Sequence, residues 1–254
     1  PVEVATFLRS IFGALDPASE SSSTPTSEAA SLFVPALRSI WSRVAPGSAP
    51  ALRTRFLRHV ANYIDGCVWE AENRRLAQVP SRAVFQAMRM FTSTLYQFWD
   101  FIEYAGGFCL PDEVVEHPLL VELQRSANAV ASYANDIFSL RKENHNRDFH
   151  NLVSVLQHEE DLPLSAAYAK AIALHDDQVR HFCTLERLVP RFEGETGRNV
   201  AAYLEGMRIW MRANYDWSIV TPRYAEIPDN DVGFAGASAS MATGDRTSSH
   251  GPAA

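Results

Sequence analysis

The stretch Asn135-Asp136-Ile137-Phe138-Ser139-Leu140-Arg141-Lys142-Glu143 decides how this chain is read. It lies in a run from about Pro118 to Lys142 with no internal Gly or Pro, rich in Leu, Ala and Val, which predicts a helix. At ~100° per residue, Asn135, Ser139 and Glu143 fall near 0°, 40° and 80°, with Lys142 at about −20°, so all four share one face. An amide oxygen, a hydroxyl and a carboxylate one turn apart suit a hard divalent cation such as Mg²⁺. A single carboxylate holds such an ion weakly unless a substrate phosphate completes its shell, and Lys142 beside the stripe would pair with that phosphate. The same nine residues also fit the solvated face of an ordinary amphipathic helix, and alone they leave both readings open.

The 254 residues, 46% hydrophobic, are enough for one large core. Helix formers dominate and no alternating β-branched run is bounded by turn signals, so the expected class is all-α. A net charge of −7 excludes nucleic acid as the main partner. An anionic ligand must then be met by local cations or a metal. Cys67, Cys109 and Cys183 are too scattered for a redox or zinc pattern and read as apolar residues of a reducing cytosol. No apolar run reaches the ~18 residues that span a bilayer, so neither membrane nor export is expected.

Along the chain the pattern predicts a short helix over Pro1 to Leu15, a Ser/Thr/Pro-rich connector over Asp16 to Ser27, and helices from about Glu28 to Val44 and Ala51 to Arg75. In the latter, Arg53, Arg55, Arg58 and His59 read as an outer, solvated arc. One helix is expected from Ser81 to Tyr104, a turn from Pro111 to Glu116, and further helices at Pro118 to Asn144, His150 to Gln157, Pro163 to Leu188 and Glu195 to Val220. Residues 226–254 read as a disordered tail behind a single domain over 1–225. The Asp176-Asp177 pair lacks a third carboxylate one turn on and reads as a solvated helix face.

In these terms N-D-I-F-S-L-R-K-E resembles the N-D-x-x-S-x-x-x-E metal signature, with Lys before the Glu, of class I terpene synthases in their microbial form. Asp148 to Val153 is similar to the family's G-D-x-H-N-L-V, with Arg147 where the family has Gly. Arg89, 46 residues before Asn135, stands at the family's diphosphate-sensing arginine, and Arg223-Tyr224 resembles its C-terminal R-Y. Weaker likenesses at Trp69 to Arg74 and Trp210 to Ser218 extend the resemblance from about Phe33 to Tyr224.

The resemblance implies an all-α, single-domain helical bundle that ionises and cyclises a linear prenyl diphosphate, farnesyl diphosphate first, as a carbon–oxygen lyase acting on phosphates. It implies Mg²⁺, or Mn²⁺ in its place, on Asn135, Ser139 and Glu143. The diphosphate would meet Arg89, Lys142, Arg223 and Tyr224. Thr92, Ser93, Phe98, Trp210 and Trp217 would line the hydrocarbon pocket, with a carbonyl turned to the substrate where the helix breaks after Arg89. The family's aspartate-rich motif is absent; by helix order it is expected just ahead of Pro1. A cytosolic monomer or homodimer is expected. The alternatives are a relative or fragment that binds diphosphate or a partner without turnover, and a chain-elongating prenyltransferase, which would carry a second aspartate-rich motif where Asn135, Ser139 and Glu143 stand.

Overall fold

The computed structural model describes residues 41–224, with Pro35 and Ser39 besides, so the helix and connector expected over 1–34 and the tail expected at 226–254 lie outside the described residues. Every regular element among them is helical, and none of the helices is long and apolar enough to cross a membrane. In chain order they are α1 (Pro50–Leu76), α2 (Arg82–Thr92), α3 (Leu95–Gly106), α4 (Asp112–Val115), α5 (Pro118–His145), α6 (Leu152–Glu160), α7 (Leu164–Glu186) and α8 (Gly194–Val220). Single 3₁₀ turns lie at Ala45–Gly47 and Pro222–Tyr224.

Local chemistry sets the ends. Pro50 and Pro118 open α1 and α5, where a missing N–H costs nothing. Ser81 and Asn151 cap α2 and α6 by accepting from Val84 N and Val153 N. Helix α1 closes on Ala77 and α3 on Gly107, both left-handed, at φ 51° and 67°.

Helix α5 is the wall between two cores. Its Leu120, Leu123, Ala127 and Ala131 pack with Trp99, Phe182, Tyr203 and Met207. Its Ala129, Tyr133 and Leu140 pack with Phe85, Leu152, Leu156 and Ala167. Burial on opposite sides explains the run of small residues, which lets α2, α3, α7 and α8 approach α5 closely.

The structure departs from the expected pattern at the α2–α3 break, at the turn that follows α3, and at Arg55 and His59. The one helix that periodicity predicts from Ser81 to Tyr104 is broken at Ser93 and Thr94, after Arg89 as the resemblance implies, and Thr94 is left-handed at φ 63°. In a continuous helix the Met90 carbonyl would accept from Thr94 N; here it accepts from Asn128 Nδ2 of α5 at 2.9 Å, and Thr94 N turns to Phe91 O at 3.4 Å. A side chain from another element interrupts the ladder. The turn at Pro111 to Glu116 holds the short helix α4.

Arg55 and His59 are not solvated. Arg55 is 4% exposed and reaches Glu103 Oε1 at 2.6 Å, Asp112 Oδ1 at 3.1 Å and Asp100 Oδ1 at 3.4 Å. The His59 ring lies 2.7 Å from the second Asp100 oxygen, and Leu110 N donates to Glu103 Oε2 at 2.7 Å. The partners lie more than forty residues downstream, so nothing near Arg55 announces them.

After α5, Asp148 N donates to Glu143 O and Arg147 N to Asn144 O, with Arg147 left-handed at φ 57°. That is the glycine-type helix closure, and it explains a Gly at this place in the resembled motif. An Arg there carries about 1–2 kcal/mol of backbone strain. The loop beyond is pinned to α1: Arg74 Nη1 donates to Asp148 Oδ2 at 3.1 Å, and His150 meets Asp148 Oδ1 through its amide and ring. Burial alone would raise the Asp148 carboxyl, but His150 and Arg74 overcome it and hold it at about 2.

Arg55→Leu should therefore cost about 3–5 kcal/mol, because it strands Asp100 and Glu103 without a counter-charge; a urea midpoint close to wild type would contradict the assignment. Asp148 releases its proton more readily folded than unfolded, so its stabilisation is complete above about pH 4 and is lost as pH falls toward 2. Asp148→Asn should remove ~1–2 kcal/mol at pH 7 and flatten the acid limb of the stability curve, measured by denaturation from pH 7 to 3.

Candidate active site

The residues of the oxygen stripe predicted on α5 share one face, and each is oriented by hydrogen bonds. Asn135 Nδ2 donates to the Tyr224 hydroxyl at 2.7 Å, while its Oδ1 accepts from Arg89 Nη2 at 3.2 Å. Ser139 Oγ donates to Glu143 Oε1 at 2.8 Å, and Asn151 Nδ2 donates to Glu143 Oε2 at 2.7 Å. Lys142 Nζ stands 3.6 Å from Glu143 Oε1. Ser139 is fully buried. The face is therefore not a row of solvated side chains.

Arg89, near the end of α2, reaches Asp136 Oδ1 at 2.6 Å, and Leu152 N donates to Asp136 Oδ2 at 2.9 Å. Burial pushes the Asp136 carboxyl up to about 7 against the pull of Arg89 and the Leu152 amide. The same burial works against the charge on Arg89, and Asp136 outweighs it, so the guanidinium pKa is raised. One donor is left over: Arg89 Nε is buried with no hydrogen-bond partner.

A cavity of about 740 Å³ opens between α1, the α2–α3 break, α5 and α8. Arg89, Asn135 and Arg223 line it, as do Thr92 and Ser93 from the break and the rings of Phe98, Trp210 and Trp217. Tyr224 is joined to it through Asn135 and packs edge-on to Trp217 at 5.7 Å between ring centres. Ser139, Lys142 and Glu143 follow Asn135 along α5 and are not part of the cavity lining. Phe98 and Trp210 stand 4.8 Å apart, and Trp99 backs Trp210 at 6.1 Å. The Ser93 carbonyl accepts from the Thr94 hydroxyl, and Ser93 Oγ donates to Asn128 Oδ1 at 3.0 Å.

Sequence reasoning gave no role to Asp136, Asn151 or Tyr63. Asp136 and Asn151 sit inside the quoted motifs, but their tasks depend on Arg89 and on Glu143, Leu152 and the Asp136 carbonyl, which only the fold assembles. Tyr63 lines the cavity from α1, where the apolar period marked it only as core.

Among the described residues no group of three His, Cys, Asp or Glu side chains could hold a metal ion. The donors of Asn135, Ser139 and Glu143 nevertheless fit a hard divalent cation. All three side chains offer oxygen, Ser139 and Glu143 are already 2.8 Å apart, and the unpartnered Arg89 Nε beside them is a donor ready for an anion.

With this geometry in hand, the comparisons are specific. Residues 4–181 match terpene synthase family 2, C-terminal metal binding. The chain is 63% identical over 197 residues, 78% of its length, to 10-epi-cubebol synthase of Sorangium cellulosum. It is 34% identical over 171 residues, 67% of its length, to a (+)-T-muurolol synthase ((2E,6E)-farnesyl diphosphate cyclizing) of Roseiflexus castenholzii. It spans 62% and 52% of the lengths of those two relatives. The solved structure of wild-type cucumene synthase superposes with a TM-score of 0.73 at 26% identity, covering 86% of this chain and 70% of that one. The fold is thus the all-α class I terpenoid synthase fold, and the chain belongs to the terpene synthases, of whose metal-binding C-terminal part it carries the signature.

Proposed function

We propose that this protein is a class I terpene cyclase that ionises a linear prenyl diphosphate, farnesyl diphosphate, and closes the hydrocarbon into a cyclic sesquiterpene with release of diphosphate. One observation carries the reading. A single cavity is lined both by polar groups, Arg89, Asn135 and Arg223, and by the rings of Phe98, Trp210 and Trp217. That is the polarity of an allylic diphosphate. The farnesyl chain is taken from the relative whose name states that substrate.

Ionisation breaks the carbon–oxygen bond and leaves the electron pair on the diphosphate, so the group to be stabilised is a growing anion. Asn135, Ser139 and Glu143 would hold Mg²⁺, or Mn²⁺ in its place, which when bound supplies Lewis-acid stabilisation of that anion. Arg89 offers its free Nε and Arg223 a second guanidinium, while Lys142 adds positive charge beside Glu143. The Tyr224 hydroxyl, tethered to Asn135, closes the ring of donors. Asn151 fixes the Glu143 carboxylate and leaves Lys142 and the metal to balance its charge. On the hydrocarbon side, aromatic faces stabilise carbocations through their quadrupoles without donating electrons covalently.

A second reading, diphosphate binding without turnover, is favoured by the single carboxylate of the stripe. Diphosphate release from farnesyl diphosphate, measured with Mg²⁺ and again with EDTA, separates the two; metal-dependent release supports the cyclase, and stoichiometric binding with no release supports the alternative.

Glu143→Ala and Asn135→Ala should each lower kcat for diphosphate release by about a hundredfold or more, with the helical circular-dichroism signal retained; wild-type turnover in Glu143→Ala would remove the metal assignment. Trp217→Ala should redistribute the hydrocarbons, read by gas chromatography, because it removes one aromatic face of the cavity, and should also slow diphosphate release, because Tyr224 packs edge-on to this ring; an unchanged product profile would contradict the assignment.

A further inference from the structure

Helix α1 contains a glycine that its own backbone does not call for. Gly66 lies mid-helix, where Gly is about 1 kcal/mol worse than Ala, and it is not among the left-handed glycines Gly107 and Gly194. The reason for it lies across the interface. A Cβ at Gly66 would stand 2.9 Å from the Thr92 methyl, while the next nearest atoms, Thr92 N and Phe91 Cβ, are at 3.4 and 3.5 Å. Carbon atoms pack at about 3.5–4.0 Å, so the methyl would have to move by roughly half an ångström or more.

Thr92 is the last residue of α2, at the break, and lines the cavity. Its hydroxyl is buried with no hydrogen-bond partner, so contact and not bonding sets where the side chain stands. Tyr63, one turn before Gly66 on α1, lines the same cavity. We propose that Gly66 is a positioning residue for catalysis: its bare backbone seats the α2 break against α1 and so fixes how far Thr92 projects into the cavity against the reacting hydrocarbon. This rests on the cyclase reading, and it concerns the contour of the pocket, not the headgroup site.

A side chain at Gly66 should push Thr92 inward, and an error of this size in a reacting geometry costs about ten- to a hundredfold in rate. The test is the cycle of Gly66→Ala, Thr92→Ser and the double variant, since Ser keeps the hydroxyl and lacks the methyl that a Cβ would strike. Gly66→Ala should lower kcat about tenfold, keep KM for farnesyl diphosphate within about twofold and redistribute the products. In the Thr92→Ser background the same change should have no further effect, the double variant matching Thr92→Ser in rate and products. A merely structural glycine would not give a methyl-dependent product shift.

Gly66→Ala with wild-type rate and products, or a double variant that departs from Thr92→Ser as far as Gly66→Ala departs from wild type, overturns the proposal. If Gly66→Ala does not fold, the double variant decides: folded and matching Thr92→Ser supports the proposal, and anything else overturns it. Should the wild-type protein release no diphosphate, the cyclase reading falls separately. The cycle is then read by calorimetric binding of farnesol, which Gly66→Ala should weaken and the double variant should restore to the Thr92→Ser value, with pyrophosphate binding in Mg²⁺ unchanged throughout; unchanged farnesol binding overturns the proposal.

Discussion

The ion pair between Arg89 and Asp136 holds the site together. It joins α2 to α5 at 2.6 Å with Asp136 fully buried, and the other Asp136 oxygen takes the amide that begins α6. Withdrawing a carboxylate from water costs several kcal/mol, which only a close cation and satisfied lone pairs can offset. Arg89 and the Leu152 amide meet that cost only in part, since burial still pushes the Asp136 carboxyl up to about 7, and the result is geometric. Arg89 is pinned with one nitrogen on Asp136, the same nitrogen near Asn135, and its Nε left unpaired.

From that pair the remaining contacts follow in order. Asn151 donates to the Asp136 carbonyl and to Glu143, so the loop that starts α6 also aims the last carboxylate of the α5 stripe. Asp148 and His150 tie the same loop to Arg74 of α1, and Tyr224 ties the far end of the chain to Asn135. Three helices, α1, α2 and α6, and the C-terminal 3₁₀ turn are thereby referenced to α5. Such over-determination is what holds a charged site to sub-ångström tolerance.

The legible parts were those in which one helix carries the whole signal. The α5 run, its oxygen stripe and the aromatic face of α8 are periodic patterns, and their all-α packing follows from composition. The resemblance supplied Arg89, Arg223 and Tyr224, whose convergence periodicity cannot express. What stayed hidden was made by contacts between distant segments. The break after Arg89 was implied by the resemblance, but not its cause: Phe91-Thr92-Ser93-Thr94 contains neither Gly nor Pro, and the break comes from the Asn128 side chain of α5. Arg55 looked like its exposed neighbour Arg58 because its carboxylate partners lie on α3 and α4. Nothing within α1 accounts for Gly66, whose reason is the Thr92 methyl of α2 packed against it.

The central claim is that the α5 stripe and two arginines from distant parts of the chain, Arg89 and Arg223, meet on one metal-bound headgroup. A crystal grown with Mn²⁺ and inorganic pyrophosphate tests it most directly, because Mn²⁺ is located by its anomalous signal. The account predicts a peak coordinated by Asn135, Ser139 and Glu143, with a pyrophosphate between it and both Arg89 and Arg223. Mn²⁺ bound at other side chains, or pyrophosphate held away from the two arginines, would contradict it.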